Sequence, residues 1–178
     1  MSAPGVHRVC AGAEKVTWYV GIDPGKHGAA VAISREQIAY QDWSGPGKAR
    51  DWINYLLDAD KIKLAIIEDV NQRRMPDKGR YAAFDLGRYS GYWEMLFTCF
   101  GIEYKLIAPK VWQAAMIDPI NKFMKNAKHR SLSSARVIDP TVESIVARDK
   151  DHNRADAALM AAYASLLCRS SVRNVNPV

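Results

Sequence analysis

Residues 16–22, Val-Thr-Trp-Tyr-Val-Gly-Ile, run without a break into Asp23-Pro24-Gly25. A stretch so rich in β-branched and aromatic side chains reads as a buried strand. Pro and Gly enforce a turn at its end, so an acid stands where the apolar strand leaves its sheet. The following pattern supplies that sheet. Residues 28–34 and 37–43 read as two more strands, joined by a short turn that suits an antiparallel hairpin. Ser44-Gly45-Pro46-Gly47 interrupts the pattern. Residues 48–60 place Trp52, Ile53, Leu56 and Leu57 on one helical face. Residues 64–67 form a short apolar strand that runs into Glu68.

Beyond a polar, basic loop at 69–80, residues 82–100 read as a long helix stopped by Gly101. Residues 103–107 give a fifth strand. Pro109 suits the first position of a short helix, whose Trp112 is expected in the core. Residues 122–138 are basic and partly helical, and 153–170 form an Ala-rich helix for which Asp151 or Asn153 is the available cap. Hairpin-linked strands followed by βα units imply an α/β domain, a five-stranded mixed sheet flanked by helices.

At 178 residues one domain is expected. It spans 16–171, between a leader at 1–15 and a tail at 172–178 that are both expected to be flexible. With 48% hydrophobic and 25% charged residues, a disordered chain is excluded. The longest apolar run, 155–168, starts beside Asp156 and is too short to span a bilayer. Cys10, Cys99 and Cys168 are odd in number and far apart, which fits neither a disulfide framework nor a zinc site. A reduced intracellular protein without membrane or small-molecule cofactor is the expectation. It belongs to a cytoplasm or nucleoid, or to an organelle such as a chloroplast if the leader is a targeting remnant. The net charge of +6 suits a polyanionic partner.

Three acids border apolar structure: Asp23, Glu68 and Asp156, the last with Asp151 and His152 just before it. Singly each is ordinary, a solvated strand end or a residue serving a helix dipole. If the strands before Asp23 and Glu68 are parallel neighbours, both acids emerge at the carboxyl edge of the sheet, where open α/β sheets place their sites. Residues 152 and 156 share a helical face. Hard oxygen ligands converging from separate elements suit Mg²⁺ or Mn²⁺, and paired ions of that kind promote attack on phosphodiesters.

The segments Gly21-Ile22-Asp23-Pro24-Gly25, Ala65-Ile66-Ile67-Glu68-Asp69 and Asp151-His152-Asn153-Arg154-Ala155-Asp156-Ala157 resemble the RuvC-type Holliday junction resolvases. Gly87-Arg88-Tyr89-Ser90-Gly91 and Pro109-Lys110-Val111-Trp112 look like the phage and chloroplast (MOC-type) branch of that family. The resemblance spans about 18–170. It implies a ribonuclease H-like fold, a homodimer, and nicking of four-way DNA junctions with two Mg²⁺ ions per site. The expected products are symmetric nicks with 5′-phosphate and 3′-hydroxyl ends. Asp23, Glu68 and Asp156 match the family's first-strand, fourth-strand and final-helix carboxylates. For the remaining ligand, the bacterial enzymes use the position occupied here by Asn153, and the phage and chloroplast-like branch that of His152. Asp151 stands in if the helix begins late. Other readings are a ribonuclease H-like nuclease acting on hybrids or flaps, and a catalytically silent junction-binding protein.

Two basic segments complete the reading. Lys122, Lys125, Lys128 and Arg130 fall in a stretch without acids and suit phosphate contact, against the plainer reading of a solvated face. Arg73, Arg74, Lys78 and Arg80 follow Glu68 and would hold DNA backbone, with Met75 as an apolar wedge. Lys110 is a further candidate DNA contact. The aromatic helix at 82–100 serves either the core or a dimer interface.

Overall fold

The structure is a computed structural model that describes residues 5–8, 17–69, 80–117, 121, 124 and 126–173. The expected strands and helices are all present. In chain order they are β1 (Gly5–Arg8), β2 (Trp18–Asp23), β3 (Ala29–Ile33), β4 (Gln37–Asp42), α1 (Pro46–Ala59), β5 (Ile62–Glu68), α2 (Arg80–Cys99), β6 (Tyr104–Ile107), α3 (Pro109–Met116), α4 (Ala127–Ile138) and α5 (His152–Arg173). Short 3₁₀ turns at Pro140–Ser144 and Asp149–Asp151 lead into α5.

One mixed sheet runs in the order β1-β4-β3-β2-β5-β6. Strands β2, β3 and β4 form antiparallel hairpins, while β5 and β6 pair parallel to β2 and to each other in turn. The sixth strand corrects the expectation of a wholly flexible leader. Gly5–Arg8 pairs antiparallel with β4, from Gly5 opposite Tyr40 to Arg8 opposite Gln37. An edge strand offers a row of unpaired backbone groups that any extended segment can satisfy, so this pairing needs no side-chain periodicity.

Strand side chains alternate between faces. Val20, Ile22, Ala65 and Ile67 pack with Trp52, Ile53, Trp93 and Phe97 under α1 and α2. Val31, Leu64 and Ile66 pack with Trp112, Leu132, Leu159 and Met160 under α3, α4 and α5. The sheet is therefore the middle layer of three, which is why its strands read as nearly continuous apolar runs. The inner aromatics of α2 are core: Trp93 and Phe97 are buried, and Tyr92 stacks on Trp43 with ring centroids 5.9 Å apart. Helix α4 occupies Ala127–Ile138 of the stretch expected to be partly helical, and the Asn126 side chain accepts the Lys128 amide at 3.0 Å and caps its start. Among the described residues no helix is long and apolar enough to cross a membrane.

Candidate active site

The last register pair joining β2 and β5 is Ile22 with Ile67. Asp23 and Glu68 each come next, side by side at the carboxyl ends of two parallel strands. Each lies an even number of positions from a residue on the α5 side (Tyr19 for Asp23, Leu64 and Ile66 for Glu68), so strand alternation assigns both to that face. Both are buried, Asp23 at 8% exposure and Glu68 at 2%.

Helix α5 reaches them through Gly21. A Cβ at that position would lie 2.0 Å from the Ala157 carbonyl oxygen and 2.5 Å from the Ala161 nitrogen. Only glycine lets the helix backbone rest on the strand, and Asp156 is the residue next to that contact. His152 lies one turn earlier on the same face, and both are half-buried. The His152 Nδ1 is buried with no hydrogen-bond partner among the described residues.

The neighbours of His152 do other work. Asp151 accepts from the Arg148 guanidinium at 2.8 and 3.1 Å and from the Arg148 amide at 3.0 Å, with Arg154 Nη1 3.6 Å away. Burial pushes its pKa upward, but the Arg148 hydrogen bonds, with the charges of Arg154 and Arg148, outweigh burial and hold the carboxyl below its ordinary value. Asp151 is thus engaged in fastening the start of α5. Asn153 donates its side-chain amide to the carbonyl of His27, in the turn that follows Asp23. Arg154 pairs with Asp42 and lies over the Tyr40 ring at 4.2 Å, tying α5 to β4.

Trp112 is the residue that sequence reasoning missed. It was expected in the core and is fully buried there, yet its indole Nε1 donates to Glu68 Oε2 at 3.3 Å. Beside Asp156, a cavity of about 100 Å³ is lined by Gln113, Ile117, Lys128, Arg130 and Ser131. Two of the basic candidates, Lys128 and Arg130, are therefore brought to the acidic edge. Lys110 is exposed on the first turn of α3. Arg73, Arg74, Met75, Lys78, Lys122 and Lys125 lie outside the described residues, as does the side chain of Arg80.

The donor chemistry fits a hard divalent cation: buried carboxylates from two strands, a third on α5, and an orphaned imidazole nitrogen. Among the described residues, however, no three His, Cys, Asp or Glu side chains stand close enough together to hold a metal ion.

No family model matches the chain, and no curated protein matches it. Solved structures do. Thermus thermophilus RuvC is 15% identical, with a TM-score of 0.56, over 88% of this chain and 96% of that one. T. thermophilus RuvC in complex with Holliday junction substrate has the same identity and coverage, with a TM-score of 0.53. The fold is that of RuvC. Asp23 and Glu68 lie at the carboxyl edge of this RuvC-like sheet, and Asp156 is next to the contact between α5 and Gly21.

Proposed function

We propose that this protein is a structure-selective DNA endonuclease that resolves four-way junctions by paired, symmetric, metal-dependent nicks. The observation that carries this reading is the placement of Asp23 and Glu68 at the ends of adjacent parallel strands, with Asp156 next to the glycine contact that seats α5 on the same sheet. The likeness to a RuvC bound to a Holliday junction substrate supports the choice of branched DNA. The phrases at 87–91 and 109–112 support the phage and chloroplast-like branch.

Asp23, Glu68 and Asp156 would hold Mg²⁺ or Mn²⁺, with His152 as the fourth ligand. Such ions, held there, would supply an activated water and charge neutralisation at the leaving 3′ oxygen, the chemistry that leaves a 5′-phosphate. The protein's own groups do the rest. Lys128 and Arg130, at the cavity beside Asp156, hold backbone phosphate and offset the repulsion between carboxylates and DNA. The tie from Asn153 to the His27 carbonyl holds the turn after Asp23 against α5. Two copies related by a two-fold axis would face the two symmetric strands of a junction. The outer face of α2 suits that pairing: Tyr81 and Phe84 are exposed at 87% and 68%, with Met95 also exposed. Nothing lies within 4 Å of a Cβ built on Gly87 or Gly91 of the same helix.

Asp23→Asn and Glu68→Gln should each abolish Mg²⁺-dependent cutting of a labelled junction while binding stays intact or tightens, since each removes a ligand and a negative charge. Substantial cutting by Asp23→Asn overturns the assignment. A second reading, a junction-binding protein without cleavage, is favoured by the lack of three gathered ligands among the described residues. It predicts junction binding by the wild type with no Mn²⁺ uptake.

A further inference from the structure

The contact between Trp112 and Glu68 spans 44 positions of sequence and joins two fully enclosed groups. Its geometry follows from the topology. Glu68 pairs with Ile107 in the parallel register of β5 and β6. Ala108 and Pro109 then turn the chain directly into α3, so the first turn of α3 rises beside Glu68, and Trp112 stands on that turn. An indole is a donor only, with one N–H in a fixed ring plane. Here it is fixed further by packing among the side chains under α3, α4 and α5. Satisfying a buried N–H does not by itself explain the contact. The indoles of Trp18 and Trp52 are equally buried, and their Nε1 atoms have no hydrogen-bond partner among the described residues. Among the described residues the indoles of Trp18 and Trp52 are left unpaired, whereas that of Trp112 meets a site carboxylate.

We infer that Trp112 is a positioning residue of the site, one that holds Glu68 Oε2 and so sets the rotation of the carboxylate that would bind the divalent cation. This inference rests on the nuclease reading of the same site. A rigid donor to one oxygen removes a rotational freedom that the carboxylate would otherwise lose on binding a cation. Losing such a supporting contact to a metal ligand typically weakens metal affinity by about 10- to 100-fold.

Trp112→Phe keeps most of the ring packing and removes the N–H. Mn²⁺ titrated into the protein, followed by calorimetry, should show affinity about tenfold weaker than wild type, and junction cutting should recover as Mg²⁺ is raised. Trp18→Phe and Trp52→Phe supply the comparison, because each loses a buried indole N–H that has no partner among the described residues. They should lower the melting temperature to a similar degree and leave Mn²⁺ affinity unchanged. If Trp112→Phe binds Mn²⁺ as tightly as wild type, or if all three variants lose affinity together, the positioning role is wrong. If the wild type itself takes up no Mn²⁺, the nuclease reading fails and this inference with it. A measurement that needs no Trp112 variant runs alongside. Of the five indole N–H resonances, one should move in Glu68→Gln, and the same one should move when Mg²⁺ is added to wild type. No such common shift would also overturn the role.

Discussion

Gly21 carries no side chain because the backbone of α5 occupies the space where a side chain would begin. Gly21→Ala forces apart a strand and a helix whose contacting atoms are main-chain and cannot rotate away. A loss of about 1–3 kcal/mol or more is expected, as for overpacked cores, with a parallel loss of cutting as Asp156 is displaced. Gly47→Ala is the contrast. It lies near the start of α1 with nothing within 4 Å of a built Cβ, so thermal melting should show no loss and a gain of up to about 1 kcal/mol from helix propensity. The neighbours His152 and Asn153 should separate in the same two assays. His152→Ala removes a buried nitrogen without a described partner, so junction cutting should fall while stability changes little. Asn153→Ala breaks the tie to the His27 carbonyl and should cost about 1 kcal/mol in melting, with a smaller effect on cutting.

Among the elements, the start of α5 depends on pH through Asp151. Its carboxyl titrates lower in the folded chain than its ordinary value of 3.8, so folding favours the ionised form. That contribution is fully present above about pH 3.8 and drains away as the pH falls through the lower folded value. Arg148→Ala removes the main partner. The gap in melting temperature between wild type and Arg148→Ala should be widest near neutral pH and close below pH 3.8; a gap that widens on acidification would reverse the argument. The elements also show where sequence was informative. Pro24-Gly25, Ser44-Gly45-Pro46-Gly47 and Gly101 punctuate the chain, so strand and helix order could be read directly. Apolar strands ending in Asp23 and Glu68 marked one sheet edge because the exit of a strand is a local signal. The Trp112 contact was not legible, since a buried tryptophan looks the same in sequence whether or not its N–H meets a carboxylate. Strand β1 was hidden for the opposite reason. Its pairing with β4 is made by backbone atoms, which residue identity does not encode.

At the scale of the whole molecule, the proposed pairing through the outer face of α2 would decide the stoichiometry of cutting. Exposed Tyr81, Phe84 and Met95 form an apolar surface of the kind that marks association. Phe84→Glu should convert a dimer to a monomer in sedimentation and turn paired cuts into rare single nicks, with melting of the monomer little changed; an unaltered dimer would move the interface elsewhere. The sheet has a second consequence, in time. Its hairpin half, β2 to β4, closes over short stretches of chain, whereas β5 must return to β2 across α1, and α5 must return to Gly21 from the far end of the fold. Contacts between distant parts of a chain form late. A ribosome therefore exposes the strand bearing Asp23 long before it releases the helix bearing Asp156. On the nuclease reading proposed above, the nascent chain would hold an incomplete set of ligands until that helix docks, and the enzyme would stay chemically silent throughout its own synthesis.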